Sequence, residues 1–332
     1  MSIARYNPVV APSGTRRDGY VASGNAVDPG EPMRRTAAVL AVSLALLLTL
    51  ASPTSAAEEP AERGRERSPI WVATYNMFRE MPAKAARRDI RELAARPRLD
   101  IIGWQEMWGR DKALHRLRKH GWATWVPPGE ARQDPISWRR SEFALVETEV
   151  YLAHRAATLK RHRKDVPRKF FNRVTLRHRA TGRVVSVFNN HVIPTIESQG
   201  QGRPGHPVRP RIRWAQQHWN RLEAAIARAP GQPIVLGDFN VDAFVDLEVR
   251  HPAMMFAHLR DTLRSSWQVL GGNEAVALTH PGTGRHIDYV MVGRRALRRD
   301  VLVPTRQVVI DGLRSDHRPL AVKVQVRTKK RG

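Results

Sequence analysis

Polar and ionisable residues stand at the ends of apolar runs in this sequence, and their types suit acid–base and metal-assisted chemistry. Asn76 follows Trp71-Val72-Ala73-Thr74-Tyr75, and Gln105-Glu106 follows Ile101-Ile102-Gly103-Trp104. Asn189-Asn190-His191 follows Val184-Val185-Ser186-Val187-Phe188, and Asp238-Phe239-Asn240 follows Ile234-Val235-Leu236-Gly237. Ser315-Asp316-His317 comes just before the run Leu320–Val326, and Asp288 lies inside Ile287-Asp288-Tyr289-Val290. A single Asn after a strand is ordinarily a turn residue, and a His beside a carboxylate is ordinarily a surface pair. Their co-occurrence along one chain points instead to a crevice at a sheet edge, where α/β domains assemble their sites. Hydrolysing a phosphodiester needs charge neutralisation at the phosphate, a positioned water and donors for the transition state. The chain has no cysteine, which excludes a thiolate metal site, a cysteine nucleophile and a disulfide framework. Any metal must sit on Asp, Glu, Asn or His. Glu106 is the main candidate ligand, since a hard carboxylate with amide and water company suits Mg²⁺ or Mn²⁺.

The elements that position these groups can be read from the apolar pattern. β-rich runs occur at Ile70–Tyr75, Asp100–Trp104, Phe143–Leu152, Phe170–Arg177, Val184–Asn189, Pro233–Gly237, His286–Val292 and Leu320–Val326. Lys84–Ala95 and Lys112–Lys119 have helical composition, the second stopped by Gly121. Ile212, Ala215, Trp219, Leu222 and Ile226 recur at helical spacing, which predicts an amphipathic helix over Arg211–Arg228. Strands and helices alternate irregularly, so the fold class is α/β with mixed sheets and helices on their outer faces. Pro194–Pro210 reads as a long functional loop, and Arg155–Lys169 as a basic hairpin connection.

The chain has 332 residues, 42% of them hydrophobic, and 56 Lys+Arg against 31 Asp+Glu give a formal charge of +25. This composition excludes a disordered tail, a collagen-like fibre and a multi-span membrane protein. A field of that sign gathers polyanions, although Arg-rich, Ala-rich composition also follows from GC-rich coding. Met33-Arg34-Arg35-Thr36, the apolar run Ala37–Leu50 and the small residues to Ala57 predict a secretory signal peptide over 33–57, hence an extracellular protein. Residues 1–32 read as an extension that is non-native or without order, 58–69 as a charged linker, 70–328 as one domain and 329–332 as a basic tail.

In combination and order, the blocks resemble the endonuclease/exonuclease/phosphatase superfamily of DNase I-like enzymes. The resemblance runs from about Ile70 to Arg327, and Gly237-Asp238-Phe239-Asn240 with Ser315-Asp316-His317-Arg318-Pro319 carry most of it. It implies a four-layer α/β sandwich of two mixed sheets with the site at their shared edge. It also implies that Asn76 and Asp316 complete or support the metal site at Glu106. Asp238 would orient and deprotonate the attacking water, and the Asn240 amide would donate to a phosphate oxygen. His317 would hydrogen-bond the phosphate with Asp288 holding its tautomer, and His191 would stand near the leaving oxygen as general acid or stabiliser. Asn190 departs from the family, in which Thr is common there, and leaves the catalytic set intact.

The superfamily serves several substrate classes, so the core does not name the substrate. Charge and Arg content favour a secreted, metal-dependent nuclease acting on DNA and perhaps RNA, with Asn189, Asn190 and the loop after His191 as substrate contacts. The alternative is a phosphatase or sphingomyelinase-like phosphodiesterase, for which transient membrane contact through Trp122, Trp125 or Trp138 would be needed unless these are core residues. A non-catalytic or toxin-like module is a third reading. The protein is expected to be a monomer with no obligate protein partner.

Overall fold

The computed structural model describes residues 67–159, 164–197, 206–209, 211–271 and 277–329. The extension 1–32, the signal segment 33–57, residues 58–66 of the expected linker and residues 330–332 lie outside the described residues, while 67–69 belong to the first strand. In chain order the elements are β1 (Arg67–Asn76), α1 (Ala83–Ala94), β2 (Ile101–Gln105), α2 (Asp111–His115), β3 (Trp122–Trp125), β4 (Ile136–Arg139), β5 (Phe143–His154), β6 (Ala157–Leu159), β7 (Lys164–Val166), β8 (Lys169–His178) and β9 (Val184–His191). Then come α3 (Arg211–Arg228), β10 (Gln232–Asp238), α4 (Ala243–Val249), α5 (Met255–Leu259), β11 (Leu263–Ser265), α6 (Ser266–Leu270), β12 (Asp288–Gly293), α7 (Arg294–Arg298), β13 (Leu302–Val309) and β14 (Leu320–Arg327).

Two six-stranded mixed sheets form, in the orders β13-β14-β1-β2-β4-β3 and β11-β12-β10-β9-β8-β5. Val72, Ile101 and Val322 from the first sheet meet Val187, Leu236 and Val290 from the second in one apolar layer. Because both faces of the central strands are covered, β2 and β9 read as nearly continuous apolar runs rather than alternating ones. The outer face of the first sheet carries α1, whose Ala86, Ile90, Leu93 and Ala94 recur at helical spacing. The outer face of the second carries α3, α5 and α6, with Ile212, Ala215, Trp219 and Leu222 buried along α3. The four-layer sandwich expected from the sequence is therefore the observed fold.

Gly103 explains how closely the sheets approach at this end. A Cβ there would lie 1.8 Å from Leu236 Cδ1 and 2.9 Å from Asn189 Oδ1, so only hydrogen fits.

Six of the described strands fall outside the β-rich runs expected from the sequence; β6 and β7 form the hairpin expected within Arg155–Lys169, and β11 has only three residues. β3 and β4 are four residues each, and β13 holds Pro304 with a register shift between Pro304 and Arg306, so none shows a sustained β pattern. The helix expected over Lys112–Lys119 is only Asp111–His115, followed by a 3₁₀ turn that ends at Gly121 with φ +81°. Trp122 and Trp138 are buried and Trp125 packs on the inter-sheet layer, so these three belong to the core.

Candidate active site

The C-terminal ends of β1, β2, β9 and β10 converge at one edge of the sandwich. β1 and β2 run parallel with Asn76 opposite Gln105, and β9 and β10 run parallel with His191 opposite Asp238. β12 pairs with β10 so that Asp288 lies opposite Asp238. One sheet thus presents Asn76 and Glu106, while the other presents His191, Asp238 and Asp288; His317 enters from the turn before β14.

Asp238 Oδ2 is the focus. It accepts from Asn76 Nδ2 at 3.0 Å and lies 3.7 Å from His191 Nε2 and 3.8 Å from His317 Nε2. Its other oxygen accepts from the Asn240 backbone N–H at 2.9 Å, which fixes the carboxylate plane. Burial pushes this carboxyl up to about 6, against the pull of the His317 charge. Gly237 makes the placement possible, because a Cβ there would fall 1.9 Å from the Asn190 carbonyl oxygen. Asn240 adopts φ +53°, a left-handed conformation that Asn tolerates, and its amide donates to Val192 O. In this arrangement the Asn240 amide is held by the backbone beside the groove.

His317 Nδ1 lies 2.8 Å from Asp288 Oδ2. Burial alone would lower the imidazole, but Asp288, Asp238 and Asp316 together raise it to about 10, so His317 is a fixed cation with Nε2–H aimed at Asp238. His191 is the opposite case. Burial, the Lys169 ammonium and the charge on His317 hold it well below its ordinary value, so it is neutral. Lys169 Nζ, which can only donate, lies 3.2 Å from His191 Nδ1, and the ring proton is therefore assigned to Nε2. Of the two roles expected for His191, a neutral donor fits this geometry and a charged acid does not.

Glu106 has φ +59°, a strained position for a residue with a side chain, and this turns its carboxylate into the groove. Oε2 accepts from the Arg79 backbone N–H at 2.6 Å, and Oε1 faces His191 Nε2 at 3.7 Å. Arg110 braces this loop by donating to the carbonyls of Met77, Phe78 and Met81. The donor set fits a hard divalent cation, since Glu106 and Asn76 line the same groove and Asn76 Oδ1, which accepts one hydrogen bond from Phe78 N at 3.1 Å, keeps a second lone pair. Asp316 is half-exposed one turn away and lies 3.6 Å from His280 Nε2. His280, Asp316 and His317 cluster closely enough to hold an ion, as do Asp238, Asp288 and His317, but a protonated His317 has no lone pair to give.

The two asparagines expected to touch substrate do not reach the groove. Asn189 is fully buried, donating to Trp104 O at 2.7 Å and Pro135 O at 3.0 Å and accepting from Gln105 Nε2 at 2.6 Å. It ties the two sheets together. Asn190 points to the opposite face of β9, where its Oδ1 meets His218 Nε2 of α3 at 2.9 Å. Strand periodicity puts neighbours on opposite faces, and here both faces are covered.

Residues without a sequence signal complete the site. Lys169, at the start of β8, and Asp134, in the turn before β4, stand behind His191, with Asp134 Oδ1 4.0 Å from its Nδ1. Burial works against charge on both, raising Asp134 and lowering Lys169. His280 stacks edge-on against His317 at 4.6 Å between ring centroids. A basic residue opening a strand was visible in the sequence, but not its meeting with His191.

Comparisons with known proteins agree with this architecture. D. rerio TDP2, in a form humanized by 14 mutations, superposes with TM-score 0.58 at 14% identity over 77% of this chain and 98% of that one. An endonuclease/exonuclease/phosphatase from Bacteroides vulgatus gives 0.56 at 16% over 78% and 100%, and a Bacteroides thetaiotaomicron mannosyl-6-phosphatase gives 0.52 at 17% over 77% and 99%. Among curated protein sequences none matches this chain. Residues 73–317 match the model of the endonuclease/exonuclease/phosphatase family, so the chain belongs to that family of phosphoric ester hydrolases.

Proposed function

We propose that the protein is a secreted, metal-dependent phosphodiesterase that hydrolyses DNA, with RNA as a second substrate. The observation that carries this reading is the lining of the groove: Arg79 and Arg168 line one lobe, Arg211 lines the other, and Lys169 borders both. Cations flanking a scissile phosphate on both sides suit a polyanion that passes through the site. The formal charge of +25 points the same way.

In this mechanism a water held by Asp238 attacks phosphorus. Its oxygen forms the new P–O bond while its proton passes to Asp238, and the ester bond opposite breaks with its electron pair on the leaving oxygen, which takes a proton from solvent. A divalent cation, Mg²⁺ or Mn²⁺, held by Glu106 and Asn76 with Asp316 in support, would neutralise charge on the phosphate. His317, charged and aimed by Asp288, and His191, neutral with its proton on Nε2, donate to the phosphate oxygens. The lipid-directed alternative loses the three tryptophans named for it, which belong to the core. Export through residues 33–57 and action as a monomer are part of the same proposal.

The test is nicking of supercoiled plasmid by residues 58–332 with Mg²⁺ or Mn²⁺ and with a chelator, beside Asp238→Ala and His317→Ala. Sphingomyelin and a phosphomonoester are assayed in parallel. Metal-dependent nicking that both substitutions abolish is expected, with KM rising steeply as salt increases. Intact plasmid with hydrolysis of either control would overturn the proposal.

A further inference from the structure

Trp108 lies two residues beyond Glu106 and is 41% exposed, one of four exposed large hydrophobics among the described residues. Its neighbour Met107 is fully buried, so the loop divides its work between packing and presentation. An indole left at a groove wall, while Trp104, Trp122, Trp219 and Trp267 are buried, has no packing reason to be there.

The groove has two lobes. One, of about 340 Å³, holds Asp238, Asn240 and His317. The other, of about 440 Å³, holds Trp108, Arg79 and Gln133 and lacks all three of those groups. Glu106, Pro167, Lys169 and His191 border both lobes, so the lobes meet at the reacting centre. Arg168 in the second lobe is already engaged by Glu130 through two hydrogen bonds of 2.6 Å. The Arg79 side chain makes no hydrogen bond or ion pair with the described residues; it is the backbone N–H of Arg79 that serves Glu106.

In-line displacement fixes which lobe does what. The water stands at Asp238, so the leaving oxygen departs on the side away from Asp238, toward the lobe that Trp108 walls. We propose that this lobe is the leaving-group subsite for a nucleotide, in which Trp108 stacks on its base and Arg79 binds the next phosphate along the strand. This inference rests on the nuclease reading and deepens it: the enzyme requires a nucleotide beyond the scissile bond, not a bare ester. The bonds made and broken are those of the hydrolysis above.

Dinucleotides test it, since each contains one internucleotide bond and the product that keeps the phosphate identifies the leaving side. Thymidine dinucleotides are prepared intact, with the leaving-side base removed, and with the other base removed, and each is also extended by a leaving-side terminal phosphate. For the wild type, removing the leaving-side base is expected to lower kcat/KM roughly tenfold, the size of one base stacked on an aromatic ring. Trp108→Ala should lose the same factor on the intact dinucleotide and nothing further on the leaving-side abasic one, with Trp108→Phe restoring most of it. Arg79→Gln should erase the benefit of the added phosphate. Equal losses for Trp108→Ala on all substrates, or sensitivity to the other base instead, would overturn the subsite while leaving the nuclease reading standing. Absence of cleavage of both plasmid and dinucleotides by the wild type would overturn both.

Discussion

Asn189→Ala separates an inter-sheet tie from a substrate contact, because the two roles affect different measurements. The substitution removes three buried hydrogen bonds, to Trp104 O, Pro135 O and Gln105 Nε2. Each is worth about 1 kcal/mol net, and leaving the buried Gln105 amide without its acceptor adds about 1–2 kcal/mol, for a total of roughly 4–5 kcal/mol. In a domain of this size a loss of 1 kcal/mol lowers Tm by about 2–4 °C, so a drop of roughly 10 °C is expected. The assay pairs thermal unfolding with steady-state cleavage at a temperature where both proteins are folded. The variant should show the Tm loss with KM within twofold of the wild type. An unchanged Tm with KM raised several-fold would refute the tie and restore Asn189 as a substrate contact.

Asp288→Asn removes the charge that raises and aims His317, and kcat should fall by about 10²–10³ with little change in KM for the phosphoester substrate. Gly237→Ala forces a Cβ to within 1.9 Å of the Asn190 carbonyl oxygen at φ +138°; displacement of Asp238 should abolish turnover and cost at least about 2 kcal/mol in denaturant unfolding. Asp246 is buried, accepts from Phe256 N at 3.0 Å and has Oδ1 without a hydrogen bond, and burial pushes it up to about 7. Its folded state holds the proton more tightly than the unfolded chain, so its contribution is present below about pH 4 and is lost as pH rises through 7. Asp246→Asn should therefore match the wild type in stability at pH 4 and exceed it at pH 8 by up to about 4 kcal/mol.

The strand ends that carry Asn76, Glu106, His191 and Asp238 were legible because apolar runs of four or more residues stop at them, His317 because such a run begins just after it, and the layering followed from the family resemblance that the order of the blocks carries. The pairing of Asp288 with His317 was legible only through family resemblance. What could not be read depends on contacts between distant elements. Lys169 meets His191 because β8 lies antiparallel to β9, with Phe171 opposite Asn190. The left-handed turn at Glu106 has no compositional mark, since Glu is an unusual residue for it. Asn189 and Asn190 were misassigned because a strand pattern shows that neighbours diverge but not that a second sheet and a helix cover both sides. His280 reaches Asp316 and His317 through a loop whose local sequence resembles any turn.

β1 lies between β2 and β14, and Ser315 Oγ bonds Asn76 O across 239 positions of sequence. During synthesis the first half of the reacting centre must therefore wait for nearly the whole domain to be made, about 10–50 s at ordinary elongation rates. A phosphoric ester hydrolase of this build thus has no complete reacting centre on the ribosome, and it assembles one only after the last strand has been inserted.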